Sequence, residues 1–407
     1  MIDFEIPPEA KEVRERVRRF VQQEVLPAEE ALSDGRSGRD VLSELRAKAK
    51  EAGLWCPHMP KEWGGMGLTP LENALMQMEL GASRFGASAV NSEGPDDATM
   101  LTLLEYGTEE QKQKFLPPLV NGEMRVAFSM TERAAGADAT GQQTRAVRDG
   151  DNYVLNGEKW FTSGASGAGL VVIVAKTNPE APRHRQFSQF IVELPNPGYQ
   201  IIRDIPTMAD RPGQHEGIGH AEVLIKDLVV PAANRLGEEG DGFSLGQHRL
   251  GYGRLRHGLR NIALAQRALD MAAKRVTERS TFGRPLSERQ GVQWMLADCA
   301  SELYIARLMV LHIAYKMDRH LDMRQENSIA KVFLANMVHK VVDTALQLHG
   351  SLGYSHDTPL ASWYTSIRSQ RLVDGPDEVH RWTVGRNLLK AYERDGTTAA
   401  ACGGDLV

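Results

Sequence analysis

The hydrophobic period of the chain changes twice, and these changes restrict the folds that it can adopt. Up to about residue 120, apolar residues recur at spacings of three and four, which is typical of amphipathic helices. From about Arg125 to Leu236 the apolar runs are short, as in LVVIVAKT and FSQFIVEL, and turn dipeptides separate them. After Gly242 the helical period returns. Strands that follow one another without intervening helices favour a barrel or sandwich over βαβ units.

We therefore predict an α+β multidomain fold. It has an N-terminal α-helical domain, a middle β domain of the barrel or sandwich type, and a C-terminal domain of the four-helix-bundle type. A chain of 407 residues has room for two or three domains. The expected domains are residues 1–124, 125–238 and 239–395, and a C-terminal tail covers 396–407.

The same patterns predict individual elements. Helices are expected at 8–30, 40–52, 70–82, 96–106, 109–119, 242–278, 325–348, 359–372 and 377–394. A further long helix is indicated by the apolar stripe from Val292 to Ile313. In the middle region, Asp149-Gly150 and Asn156-Gly157 each predict a tight hairpin turn between two strands.

The composition excludes several classes of protein. With 42% hydrophobic and 25% charged residues, the chain can bury a core and is not disordered. Its net charge of −5 gives no reason to expect a nucleic-acid partner. The three cysteines, Cys56, Cys299 and Cys402, are far apart and indicate reduced thiols. The N-terminus lacks an apolar signal core, and no apolar run reaches membrane-spanning length. We expect a soluble, cytoplasmic protein without membrane insertion.

Several common site motifs are missing from the sequence. There is no GxGxxG after a strand and no GxxxxGK[ST]. HEGIGH (215–220) places its histidines five positions apart and contains two glycines, so we predict no metal site. In FTSGASGAG the second residue after Ser166 is Ala168, so the GxSxG pattern of a nucleophile elbow is not met.

Five segments carry a resemblance to a known family. They are AFSMTERAAGADAT (127–140), GEKWFTSGA (157–165), ERSTFGRPLSERQ (278–290), QLHGSLGYS (347–355) and LVDGPDEVHR (372–381). In this order and spacing they resemble the acyl-CoA dehydrogenase family of flavoproteins, over residues 10–393. The chain is most similar to the subgroup with Asp-Gly-Pro-Asp-Glu-Val-His where better-known members have Glu-Gly-Thr-x-x-Ile-Gln.

The resemblance implies FAD as the cofactor. An isoalloxazine ring is flat and partly apolar, so it needs an aromatic wall and hydrogen-bond donors at its polar edge. In the family, the segment matched here from Arg279 to Gln290 reaches FAD from a neighbouring subunit, so a homo-oligomer, a dimer or a dimer of dimers, is implied. The implied FAD-binding residues are Phe128, Met130, Thr131, Ala137, Trp160, Thr162, Arg279, Thr281, Phe282, Gln290, Gln347, Gly350, Ser351, Pro376 and Glu378.

Further positions match the family's substrate-binding residues. Arg254 matches the arginine that follows the stretch lining the acyl-thioester channel, here Tyr252 and Gly253, and Ala137 stands where some members place a serine toward substrate. Arg183 and Arg185 in PRHRQ stand where the family's CoA phosphates pass, and a charge-assisted contact would suit them. A merely solvated loop explains these two arginines equally well.

The implied reaction needs a carboxylate base, because an α-proton beside a thioester is only weakly acidic. The family places its glutamate base at one of two positions, which fall here on Gly253 and Asp374. Asp374 is therefore the candidate base, although aspartate is one methylene, roughly 1.5 Å, shorter than glutamate. The neighbouring Asp377 has a plainer interpretation as a helix-start acid, and Glu378 as a cofactor contact.

Three functions remain open from the sequence. The first is an FAD-dependent acyl-CoA dehydrogenase of fatty acid β-oxidation, which forms a trans-2-enoyl-CoA and passes electrons to an electron-transfer flavoprotein. The second is a flavin oxidase or monooxygenase of the same fold, similar to nitroalkane oxidase, in which the aspartate base works with O2. The third is a catalytically inactive assembly protein that keeps FAD. The resemblance does not specify the length, branching or hydroxylation of the acyl chain.

Overall fold

The computed structural model describes residues 5–31, 36–210 and 219–403. The chain forms two compact units. The first comprises Met1–Ala49, Leu68–Ala89 and Gly253–Val407, and the second comprises Lys50–Gly67 and Val90–Tyr252. The predicted domains are continuous in sequence, whereas each of these units combines separate stretches of the chain that contact one another. This division does not test the predicted domain boundaries, which stay predictions. Residues 215–218 of the HEGIGH stretch lie outside the described residues.

Helices make up the first unit. They are α1 (Pro8–Phe20), α2 (Leu26–Glu30), α3 (Gly38–Glu51, whose last residues pass into the second unit), α4 (Pro70–Leu80), α5 (Gly86–Ala89), α8 (Gly242–Glu278, from Gly253 onward), α9 (Gln290–Asp318), α10 (Arg324–His349), α11 (Ser351–Tyr354), α12 (Leu360–Ile367) and α13 (Asp377–Asp395). A small hairpin of β9 (Ser280–Thr281) and β10 (Arg284–Pro285) precedes α9.

The first predicted helix is helical throughout, but it is not a uniform α-helix. Residues Val21–Val25 form a π-helical segment between α1 and α2, and the N–H of Leu26 bonds the carbonyl of Val21. Pro27 follows at once and has no N–H to continue the α-helical pattern, which accounts for the wider turn at this point.

The apolar stripe predicted in α9 faces the core of the first unit. Cys299, Leu303, Val310 and Ile313 are all buried there. They pack with the small and branched residues of α8 and α10, such as Ala268 of α8. Periodic burial of this kind is the usual way in which long helices stabilise one another.

The second unit contains α6 (Asp96–Tyr106), α7 (Glu109–Val120) and a mixed β-sheet. Its strands are β1 (Val126–Ser129), β2 (Arg145–Asp149), β3 (Asn152–Ser163), β4 (Leu170–Lys176), β5 (Phe187–Glu193), β6 (Tyr199–Asp204), β7 (His220–Pro231) and β8 (Arg235–Leu236). The sheet order is β6-β7-β3-β1-β4-β5-β8. Both β1 and β2 pair with β3 and with β4, so these four strands close a ring of pairing.

One of the two predicted hairpin turns is confirmed and the other is wrong. Asp149-Gly150 joins β2 to β3, with Asp149 opposite Asn152. Asn156-Gly157 instead lies inside β3, where the register shifts as in a β-bulge. A Cβ atom on Gly157 would lie 2.4 Å from the Thr144 hydroxyl oxygen. The glycine therefore permits a close approach of two strands rather than a turn.

Within the described ranges, none of the helices combines the length and the apolar character needed to cross a membrane.

Candidate active site

Asp374 lies in a tight turn immediately before α13. Its φ of 54° is in the left-handed region, which aspartate tolerates better than most residues, and Gly375 follows with φ of 95°. A Cβ atom on Gly375 would come within 2.8 Å of the imidazole Nε2 of His380. Glycine is therefore required at residue 375 for two reasons. Its backbone conformation disfavours other residues, and the imidazole of His380 leaves no space for a side chain.

Two side chains hold the main chain of this turn. Arg254 on α8 donates from Nε to the carbonyl oxygen of Asp374 at 2.8 Å. His380 on α13 lies with Nε2 3.1 Å from the same oxygen. Burial lowers the pKa of the Arg254 guanidinium, while the Asp374 charge opposes this shift. The predicted substrate arginine thus contacts the candidate base through the backbone.

The carboxylate of Asp374 is about one-fifth exposed and faces a concavity. His257 Nε2 lies 3.6 Å from its Oδ2. A Cβ atom on Gly253 would lie 2.9 Å from that same Oδ2. Gly253 and Asp374, the two positions considered for the base in the sequence analysis, therefore lie next to each other, and the glycine leaves space for the aspartate. The other polar residues lining the concavity are Arg254, Asn261, Lys331 and Gln370.

Asp377 has a second role that the sequence did not indicate. It is in the first turn of α13, as predicted, but its side chain is only 1% exposed. Arg371 donates to it at 2.8 Å, Asn336 at 3.0 Å and Lys331 at 3.4 Å. Burial by itself would raise the pKa of Asp377, and these three partners outweigh it and lower the pKa. Asp377 is an ionised carboxylate that anchors the turn beside Asp374.

In the second unit, the end of β1 and a bulge in β3 form the candidate flavin site. The register of β3 shifts between Lys159 and Thr162, and Phe161 adopts φ of 56°. The N–H of Trp160 donates to the carbonyl of Thr131 at 2.8 Å, which joins the FSMT and WFT segments. The bulge leaves the Trp160 ring half-buried and the Phe161 ring exposed.

The two predicted threonines differ in their surroundings. Thr131 is half-buried, and within the described ranges its hydroxyl makes no hydrogen bond with the protein. Thr162 is fully buried, and its hydroxyl lies 3.0 Å from that of Ser129. Of the two, Thr131 has the hydroxyl that is available to a ligand. Phe128 is half-buried and Met130 is buried beside them.

Lys159 stabilises this segment from beneath. Its side chain is fully buried, and Nζ contacts the Met130 carbonyl at 2.8 Å, Glu132 Oε1 at 3.0 Å and Gln142 Oε1 at 3.0 Å. Glu132 also accepts from two backbone N–H groups, those of Gln143 and Thr144. Burial lowers the pKa of Lys159 to about 8, against the attraction of Glu132. None of these contacts was predicted from the sequence.

The residues expected to bind the dinucleotide half of FAD lie on exposed surfaces of the first unit. Phe282, with φ of 53°, is 99% exposed in the loop of the β9–β10 hairpin. Pro376 is half-buried at the N-cap of α13. The remaining members are exposed or half-buried, namely Arg279, Thr281, Gln290, Gln347, Gly350, Ser351 and Glu378.

The expected CoA-binding arginines are engaged in ion pairs. Both are more than half exposed, in a short turn between β4 and β5. Arg183 binds Asp138 at 2.6 Å, and Arg185 binds Asp241. Both interpretations of this loop, a phosphate contact and a solvated turn, therefore stay open. Ala137 is exposed near Asp138, and Tyr252 packs edge-on against His248 in the second unit.

The residues present fit a bound flavin. Trp160 offers a half-buried aromatic ring, whose centroid lies 4.3 Å from the Arg133 guanidinium carbon, and Thr131, bonded to it through the backbone, offers an available hydroxyl. The fixed backbone of the β3 bulge adds polar groups next to both, as an isoalloxazine ring requires.

Family models for the N-terminal, middle and C-terminal domains of acyl-CoA dehydrogenase match residues 7–123, 127–223 and 240–389. The chain belongs to the acyl-CoA dehydrogenase family.

Individual relatives support the same family assignment. The Mycobacterium tuberculosis protein named probable acyl-CoA dehydrogenase FadE2 is 38% identical, with 98% of this chain and 99% of that protein covered. Acyl-CoA dehydrogenase family member 11 of Gallus gallus is also 38% identical, but this chain spans only 50% of its length. The crystal structure of acyl-CoA dehydrogenase from Geobacillus kaustophilus is 31% identical, with a TM-score of 0.83 over 95% of this chain and 100% of that chain.

Proposed function

We propose that this protein is an FAD-dependent acyl-CoA dehydrogenase, with Asp374 as the base that removes the α-proton. The product is a trans-2-enoyl-CoA, and the electrons pass to an electron-transfer flavoprotein. The observation that carries the proposal is the meeting of Asp374 and Gly253. Of the two positions where the family carries its base, one holds a carboxylate and the other leaves the space beside it open.

The proposed chemistry assigns each group of residues a task. Asp374 Oδ2 takes the α-proton, and the electrons of that C–H bond form the new carbon–carbon double bond. Bound FAD supplies the acceptor for the hydride that leaves the β-carbon. Thr131 and Trp160 would hold the flavin. Arg254 keeps the turn of the base in place through the Asp374 carbonyl.

A homo-oligomer is part of this proposal. A phenylalanine that is 99% exposed at a hairpin tip is poorly placed for a monomer in water. It suits a role at a neighbouring subunit, which the family assigns to the segment from Arg279 to Gln290. The outer faces of α9 and α13 carry further exposed aromatic residues, among them Trp294, Tyr304 and Trp382. We propose a dimer or a dimer of dimers in which FAD contacts two subunits.

The direct test is an anaerobic titration of the purified yellow protein with acyl-CoAs of different length, branching and hydroxylation. We expect at least one of them to bleach the flavin, and we expect slow reoxidation when air is admitted. Rapid oxygen consumption without an acceptor protein would instead identify an oxidase. If no acyl-CoA bleaches the flavin, the protein is not a dehydrogenase of these esters.

A further inference from the structure

The carbonyl oxygen of Asp374 accepts from two side chains that come from different helices. Arg254 Nε on α8 lies at 2.8 Å and His380 Nε2 on α13 lies at 3.1 Å. His380 is only 3% exposed, so water does not compete strongly for this contact. The two donors together fix the orientation of the peptide that follows the candidate base.

We propose that His380 is a positioning residue for the dehydrogenation: with Arg254 it clamps the Asp374 carbonyl and thereby holds the carboxylate in its reactive position. This proposal rests on the proposed function of Asp374. His380 does not touch the reacting atoms, and it acts only through the turn.

The conformation of the turn explains why a clamp is needed. Asp374 has φ of 54°, and a non-glycine residue in this region relaxes to an ordinary conformation unless its surroundings prevent it. The carboxylate is also one methylene shorter than the glutamate of better-known family members, by roughly 1.5 Å. A short side chain on a strained turn has little tolerance for movement. A misplacement of about 1 Å can slow a reaction on the order of 100-fold.

The protonation state of His380 supports a hydrogen-bonding role over a proton-transfer role. Burial lowers its pKa to about 4, and the neighbouring charges of Arg254 and Lys331 act in the same direction, while Asp374 opposes them. The imidazole is therefore neutral at working pH. Because Nε2 faces a carbonyl, which only accepts, the proton must be on Nε2.

The contact also has a steric counterpart. Gly375 leaves no room for a Cβ atom, which would lie 2.8 Å from His380 Nε2. The imidazole thus packs directly against the turn that it stabilises. Better-known members have glutamine at the position of His380, and a glutamine amide can place a donor where the Nε2 of histidine lies.

Two amide variants form a matched pair for the test. His380→Gln keeps a donor at the reach of Nε2, whereas His380→Asn places its amide one methylene short. We would measure single-turnover flavin reduction by the best acyl-CoA, the KM, the pH profile and thermal unfolding of the FAD-loaded protein. We would also measure exchange of the substrate's α-proton with deuterated solvent.

We expect His380→Asn to slow reduction and α-proton exchange by about 10- to 100-fold, with KM within about twofold. His380→Gln should stay within about threefold of wild type and keep its pH profile. The proposal is overturned if His380→Asn reacts like wild type. It is equally overturned if His380→Gln loses one ionisation from the profile, because His380 would then exchange protons. A wild-type protein that no acyl-CoA reduces would defeat the proposed function first. If the wild type is active and His380→Asn reduces its flavin at the same rate, only the positioning role of His380 is wrong.

Discussion

Each of the two units buries an ion pair beneath its functional segment, but the centre of the network differs. In the first unit, the carboxylate of Asp377 accepts from Lys331, Asn336 and Arg371. In the second unit, the ammonium of Lys159 is the central group and donates to three oxygens. The first network anchors the turn of the candidate base, and the second anchors the strands of the candidate flavin site.

The exposed fractions of the paired side chains indicate which network better tolerates the loss of one partner. Lys159 and Glu132 have side chains that are 0% and 4% exposed, so neither can turn to water if its partner is lost. In the first unit Arg371 is 35% exposed and can be solvated. Lys159 and Asp377 are therefore charged residues with a structural role. Each lies close in sequence to a more accessible residue with a proposed functional role, Trp160 and Asp374 respectively.

The largest effect is expected from Lys159→Met. It leaves the Glu132 carboxylate buried without its cation, so we expect a loss of about 3–5 kcal/mol in the free energy of unfolding of the second unit. Urea denaturation, followed by tryptophan fluorescence, measures this loss. The double variant Lys159→Met/Glu132→Gln removes the uncompensated charge and should recover at least about 1 kcal/mol. A double variant as unstable as the single one would show that charge is not the cause.

Asp377→Asn should have a smaller effect. Asparagine keeps one acceptor, and Arg371 can reach water, so a loss of about 2–3 kcal/mol is expected. The adjacent exposed acid provides the matched control, because Glu378→Gln should change unfolding by less than about 0.5 kcal/mol. Equal losses in the two variants would contradict the structural role of Asp377.

A third effect depends on pH and concerns His380, the clamp residue of the first unit. The pKa of His380 is lowered from 6.5 to about 4 in the folded protein, so between these values only the unfolded chain takes up the proton. The contribution of the neutral imidazole is therefore complete above about pH 6.5 and is lost as pH falls toward 4. This loss is roughly 1.4 kcal/mol per pH unit within the window. His380→Gln should flatten the stability–pH curve there, and an unchanged slope would contradict the assignment.

The order of helical and β regions could be predicted from the sequence, because hydrophobic period reports which face of an element is buried. The prediction failed at Asn156-Gly157, since a turn dipeptide does not distinguish a hairpin from a bulge that admits Thr144. The position of Lys159 within its strand indicates burial. It falls in the same inward register as Tyr153 and Leu155, where a charged residue needs a buried partner.

The candidate site was only partly predictable. Motif matching selected Asp374, Gly253 and Arg254, and the structure brings these three together. The residues that support the base were missed. Asp377 is buried by Asn336 and Lys331, more than forty positions earlier in the chain, and no local pattern shows such a contact. His380 was not among the candidate residues, because its contact with the Asp374 carbonyl depends on the left-handed turn between them.

Asp374→Asn tests the central claim most directly. The variant keeps the size of the side chain but removes the base, so it should still bind FAD and CoA esters. Anaerobic stopped-flow measurement with a reducing acyl-CoA should show flavin reduction slowed by several orders of magnitude, at least about 10³-fold. Reduction at a rate near that of wild type would show that Asp374 is not the base.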